Sequence, residues 1–270
     1  VTLDNNYVLI KTFSGVFDGN NKTITLNKPE NYYNGNYFGG AIFNVITGEN
    51  AEVIDLNVSG EAYIAGIAID LENDAVISNC TNSAKITSPA GENVPGCGGI
   101  VGELSNGGKI ENCINKGEII GTRIVGGIVG AMGFIPDNTN SFSRNHTIIA
   151  NCANEGNVSV TGIRYDPNTF IGGICGSFNY GTIYNSYNTG DVTIDEKSSY
   201  SGKSTNTYEN LGGIAGRCYY TNIEGIINCY NNGEISRERS SSTYTIETRI
   251  GGILGARIAT TSGIITNPKF

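Results

Sequence analysis

Gly98-Gly99-Ile100-Val101-Gly102 and, shortly after it, Asn112-Cys113-Ile114-Asn115-Lys116-Gly117-Glu118-Ile119 form a unit that this chain repeats. The glycine element returns as Gly126-Gly127-Ile128-Val129-Gly130, Gly172-Gly173-Ile174-Cys175-Gly176, Gly212-Gly213-Ile214-Ala215-Gly216 and Gly251-Gly252-Ile253-Leu254-Gly255. The asparagine element recurs from Asn151 to Val158, from Asn185 to Val192 (with Ser186 for the cysteine) and from Asn228 to Ile235. A partial copy opens at Asn79-Cys80-Thr81-Asn82. Self-similarity of this kind marks a solenoid, whose units bury their apolar faces only against their neighbours.

The shortest step, from Gly98 to Gly126, holds three strand-like runs: Gly99 to Val101, Lys109 to Ile114 and Glu118 to Gly121. Each is bounded by Gly and Asn turn signals. No run carries apolar residues at helical spacing long enough for a crossover helix. The expectation is an all-β parallel β-helix with three short strands per coil and about seven coils. Ahead of the regular copies, Phe13-Ser14-Gly15-Val16-Phe17-Asp18-Gly19-Asn20-Asn21-Lys22-Thr23-Ile24 reads as strand, tight turn, strand. Phe38-Gly39-Gly40-Ala41-Ile42-Phe43 and Ile64-Ala65-Gly66-Ile67-Ala68 are worn copies of the glycine element. Residues 1–270 therefore form one repeat domain, degenerate over 1–97 and regular over 98–255.

Each repeated position has a physical reading. The Asn-x-Gly segments, such as Asn115 to Gly117, supply residues that accept positive φ cheaply and are expected at the corners. The asparagine before the cysteine (Asn79, Asn112, Asn151, Asn185, Asn228) is expected to stack as an amide ladder along the axis. Cys80, Cys113, Cys152 and Cys229 share one repeat position and Ser186 replaces a fifth member, which suits free, buried thiols better than ligands or bridges. The glycine element is apolar on both faces, so unless a bulge intervenes one stripe faces outward, and a loop column or a partner must cover it.

Extra length collects at two junctions of the repeat, the largest inserts being Met132 to Thr147 and Ile194 to Asn210. Per-turn insertions usually mark the working side of a solenoid, so long loops in two columns are expected. Tyr165, Tyr200 and Tyr208, among Ser, Asn and Thr neighbours, are the candidate ligand contacts. Asp70, Glu72 and Asp74 put three carboxyls at alternating positions and are a candidate calcium set, read more simply as a solvated turn. His146 is the sole histidine, on an insert, so no His-Glu-x-x-His zinc motif exists. Glu118, Asp191 and Glu234 recur at one repeat position, as a structural row would. Asp137, Asp166, Asp195 and Glu196 are the unrepeated acids that keep a polysaccharide-cleaving enzyme as the alternative. No catalytic residue and no cofactor is expected.

With 38 Gly, no Trp and 16% charged residues, the composition fits neither a disordered polar chain nor a membrane-spanning one. A net charge of -8 disfavours a nucleic-acid backbone as partner, and no apolar run approaches the ~20 residues of a bilayer span. The chain opens at Val1 without a signal-peptide pattern and closes where another Asn-Cys element would begin, so it is expected to belong to a longer protein.

Gly-Gly-Ile-x-Gly alternating with Asn-Cys-x-Asn-x-Gly-Glu-Ile, opened by the Phe13 to Ile24 segment, resembles the GLUG-repeat family. Such repeats occur in large bacterial cell-surface and secreted proteins, including the non-catalytic part of immunoglobulin-A-cleaving metallopeptidases. The resemblance implies an extracellular module acting in adhesion or display. Its expected partners are a host glycan, an extracellular protein or other domains of the same surface protein.

Overall fold

A computed structural model describes residues 1–4, 7–28, 40–88, 96–133, 146–161, 163–164, 168–195, 199–200, 207–218, 225–238 and 246–257. Every strand pairing in it is parallel, between one coil and the next. The coil from Cys97 to Gly121 shows the plan. Its strands are Cys97–Gly98, Val101–Leu104, Lys109–Glu111, Ile114–Asn115 and Ile119–Gly121. Their counterparts in neighbouring coils build four sheets: a five-stranded arm sheet through Cys97–Gly98, an eight-stranded glycine sheet through Val101–Leu104 and a seven-stranded isoleucine sheet through Lys109–Glu111. The fourth, the asparagine sheet, has thirteen strands and includes both Ile114–Asn115 and Ile119–Gly121, because the unbroken strand Asn57–Ala62 pairs with both columns. Inserts fall between the glycine and isoleucine sheets, or between the asparagine and arm sheets.

The described strands are thus shorter and more numerous than the three runs expected per coil. The run from Lys109 to Ile114 is broken at Asn112, whose φ is 54°. Asn79, Asn151, Asn185 and Asn228 do the same in their coils, at φ between 50° and 55°. This left-handed conformation costs Asn little, and it turns the chain between the isoleucine and asparagine sheets. The asparagine before the cysteine is therefore the corner, not the buried ladder.

The ladder is built by the other asparagine. Asn82, Asn115, Asn154 and Asn188 are fully buried. Each donates from Nδ2 to Oδ1 of the next, at 2.8 Å, 2.7 Å and 2.6 Å, and Asn188 donates to Asn231 at 2.6 Å. The second amide proton goes to the carbonyl two residues on, at Ala84, Gly117, Gly156, Gly190 and Gly233. Glycine follows there for space rather than φ: a Cβ on Gly156 would lie 2.0 Å from the Gly117 carbonyl oxygen of the preceding coil.

The three glycines of the glycine element meet three different obstacles. A Cβ on the first, Gly126, would strike the carbonyl of Val129 at 2.0 Å across a tight bend. One on the second, Gly127, would strike the next coil's Gly173 carbonyl at 2.1 Å and the ladder amide of Asn154 at 2.2 Å. The two repeated elements thus touch each other, which is why they recur together. The third, Gly130, lies against the arm strand of the coil before it, 2.3 Å from the Cys97 nitrogen.

That arrangement answers the question of the outward stripe. The bend at Gly127-Ile128 turns Val125, Ile128 and Val129 into one core, and strand pairing passes over the third glycine so that Met132 also points inward. The outward position belongs to Gly102, Gly130, Gly176 and Gly216, and the chain's own arm strand covers it. In the earliest coils a separate cluster of Ala41, Tyr63, Ile64, Ala65 and Ile69 fills the corresponding space.

The cysteines are all free, and Cys80, Cys113 and Cys152 are fully buried. Each thiol points at the carbonyl two residues back, at 3.2–3.3 Å. Ser186 makes the same contact to Tyr184 at 2.9 Å and also accepts from the Cys152 backbone. The segment expected as strand, turn, strand near the start is three strands, Ile10–Phe13, Val16–Asp18 and Thr23–Leu26, each pairing with the coil that follows it. The worn copies align as read: Phe43 and Val101 both pair with Ala68.

Candidate functional site

Outward positions of the isoleucine sheet run along the rod in two columns that flank the inward Val53, Ile77, Ile110, Ile149 and Ile183. The first column reads Glu52, Val76, Lys109, Ile148, Thr182, Gly225; the second reads Ile54, Ser78, Glu111, Ala150, Tyr184, Ile227. Charge disappears after Lys109 and Glu111. Around the corner the asparagine sheet changes in step, from Thr81 and Ile114 to Ala153, Tyr187 and Tyr230. A solenoid repeats what stacking requires, so a run of positions that departs from the repeat on the solvent side is where a specific surface is built.

His146, Ile148, Thr182, Tyr184, Asn185 and Ile227 enclose an open cleft of about 380 Å³ on this face. His146 Nε2 lies 2.7 Å from the Thr182 hydroxyl, and its ring meets Tyr180 edge-on at 6.1 Å. The corner asparagines form a short exposed ladder: Asn228 donates to Asn185 at 2.7 Å, and Asn185 to Asn151 at 3.3 Å. Tyr187 and Tyr230 stack beside it, centroids 5.1 Å apart and 7° from parallel, with Tyr230 55% exposed.

Only some of the residues singled out from the sequence as site candidates are described, and none of those lines this cleft. Tyr165 falls outside the described residues, as do Asp137, Asp166 and Glu196. Tyr200 belongs to the strand Ser199–Tyr200, which pairs with Ile163–Arg164. Tyr208 is half-buried in the arm sheet, with the Arg249 guanidinium 5.2 Å from its ring. Beside it, Glu209 is fully buried and held by Arg237 at 2.7 Å and Thr248 at 3.0 Å, a structural clamp.

Asp70 and Glu72 share one strand, and Glu103 on the next coil stands directly in register with Asp70. Among the described residues no three His, Cys, Asp or Glu side chains form a group that could hold a metal. Burial, then the charges of Glu103 and Glu72, push Asp70 up to about 7. Burial also raises Glu103, against the opposing pull of the Gly96 amide and Arg123. Because the folded state favours protonated Asp70, its contribution to stability is complete below the ordinary carboxylate range. It is lost as the pH climbs through about 7. Asp70→Asn should therefore stabilise the fold at pH 8 by about 1–3 kcal/mol and change little at pH 4. Urea unfolding at the two pH values checks this; equal effects at both would refute the assignment.

The Glu118, Asp191 and Glu234 row is exposed and structural: the Glu234 amide donates to Asp191 at 2.9 Å, and Glu118 pairs with Lys85 at 2.8 Å.

Fold and face together give stacked parallel sheets with one side on which, among the described residues, charge gives way to apolar and aromatic side chains past Lys109 and Glu111. Among solved structures the chain is similar to a candidate immunoglobulin A1 protease from Bacteroides ovatus, at 18% identity over 94% of this chain and 83% of that one, with a TM-score of 0.40. At that score the likeness carries no argument about activity. No family model and no curated protein matches the chain.

Proposed function

We propose that this chain is a non-catalytic, extracellular β-helical module of a bacterial surface protein, of the GLUG-repeat kind, that binds a glycan or protein ligand. With about seven coils at ~4.8 Å each, the rod spans roughly 35 Å and also spaces whatever it is joined to. The observation that carries the reading is an exchange on one face: Glu52, Lys109 and Glu111 give way to Thr182, Tyr184 and Ile227, and around the corner Thr81 and Ile114 give way to Tyr187 and Tyr230. Stacking does not require that exchange, because the inward residues of the same strands do not change character.

A polysaccharide-cleaving enzyme is the second reading. The Asp70–Glu103 pair favours it, since a raised carboxyl beside another acid can serve as general acid. Binding of the purified chain to a panel of glycans and extracellular-matrix proteins, with product release followed in the same wells, separates the two. Saturable binding without turnover is the expected result. Product release abolished by Asp70→Asn would replace the binding module with the enzyme.

A further inference from the structure

We infer that the cleft of His146, Ile148, Thr182, Tyr184, Asn185 and Ile227 takes a neutral saccharide, an inference that rests on the binding-module reading above. The cleft exists because small residues interrupt both outward columns. Gly225 places no side chain beside Thr182, and Ala150 places only a methyl beside Tyr184. The tyrosine ring and the Thr182–His146 pair therefore border open space, which Ile148 and Ile227 line with apolar surface.

A pyranose ring presents an apolar C–H face and an edge of hydroxyls. Tyr184, Ile148 and Ile227 suit the face; aromatic side chains with a polar tip serve such half-wet contacts well. Asn185, His146 and Thr182 suit the edge. Asn185 uses one amide proton toward Asn151 and accepts one bond from Asn228. Its second proton and remaining lone pair are left for a ligand hydroxyl. An imidazole nitrogen and a threonine hydroxyl can each donate or accept, as a set of hydroxyls demands.

Charge argues for a neutral ligand. Among the described residues no carboxylate, lysine or arginine lines the cleft, so an ionised ligand would lose hydration without gaining a partner from them. The net charge of -8 further opposes anionic sugars. Tyr187 and Tyr230 extend the surface past the corner, so more than one sugar ring fits along it. Glu155, a charged group at that edge, is engaged with the Tyr187 hydroxyl.

The test is calorimetric titration of the chain with neutral oligosaccharides of glucose, galactose, mannose and N-acetylglucosamine, beside uronic-acid oligomers and a panel of matrix proteins. A neutral oligosaccharide should bind, and Tyr184→Ala or Asn185→Gly should each weaken it by about tenfold or more. Glycine suits the φ of 50° at residue 185, so that variant keeps the corner. Glu52→Gln, on the same sheet but outside the cleft, should leave binding unchanged. Neutral-sugar binding that survives both cleft variants overturns the site. Binding confined to uronic acids or proteins overturns the ligand class while the binding-module reading stands. Silence across every class overturns both.

Discussion

Replacing Gly127 with alanine should destabilise the fold by about 3 kcal/mol or more, whereas the same change at Gly252 should cost within about 0.5 kcal/mol. Both are the second glycine of their repeat. At Gly127 the new methyl would sit 2.1 Å from the Gly173 carbonyl oxygen and 2.2 Å from Cγ of Asn154. Neither can yield. The first is backbone of the stacked coil, and the second is fixed in a buried amide ladder. At Gly252 nothing lies within 4 Å of the added atom. Gly127 does not have a positive φ, so the expected difference reports stacking and not backbone strain. Urea unfolding of the two variants measures it. Equal costs would mean that coil-to-coil approach is not what holds glycine at this position.

The second large effect is expected at Asn154. Its side chain accepts from Asn115 and donates to Asn188 and to the Gly156 carbonyl, entirely out of solvent. Asn154→Ala removes three hydrogen bonds and strands a donor on one coil, an acceptor on the next and the Gly156 carbonyl of its own coil. A buried group left without its partner costs about 1–3 kcal/mol, so the three together bring the expected loss to at least about 3 kcal/mol. Asn231→Ala, in the half-buried last member of the ladder, should cost less. A solenoid couples each coil chiefly to its neighbours. The Asn154 variant should therefore also broaden the unfolding transition, as coils on either side of the gap lose cooperativity.

Much of this architecture was legible in the sequence because stacking makes the same demand at every level. Gly-Gly-Ile-x-Gly and Asn-Cys-x-Asn-x-Gly recur since each residue type meets an identical obstacle coil after coil. What the pattern could not show is which asparagine points inward. Asn112 and Asn115 are both invariant in the repeat, both short and both at home in turns, so corner and ladder trade places when read from sequence. The glycine two residues after Asn115 looked like a turn signal, yet its role is to let the Gly117 and Ala84 backbones approach. The bend that removes the outward stripe is hidden for a related reason. Alternation assumes a straight strand, whereas the bend after Gly98 and the pairing gap at Gly102 place Ile100, Val101 and Leu104 in one core.

The candidate face was harder to see. Its columns join Lys109, Ile148, Thr182 and Gly225 across inserts of unequal length, so neighbours in space are far apart in the chain. Tyr165, Tyr200 and Tyr208 stand in the inserts, whereas Tyr184, Tyr187 and Tyr230 stand inside the repeat itself. A signal was nonetheless present. The residues flanking the corner asparagine change from Glu111 and Ile114 to Tyr184 and Tyr187, and then to Ile227 and Tyr230, while the asparagine itself stays.

Hydrogen exchange of the asparagine side-chain amides, followed by NMR, tests the stacked-coil account most directly. The Nδ2 protons of Asn82, Asn115, Asn154 and Asn188 should be as protected as core backbone amides, while those of the exposed corner residue Asn185 exchange quickly. Fast exchange at Asn115 and Asn154 would contradict the buried ladder, and with it the coil-on-coil register from which every other assignment follows.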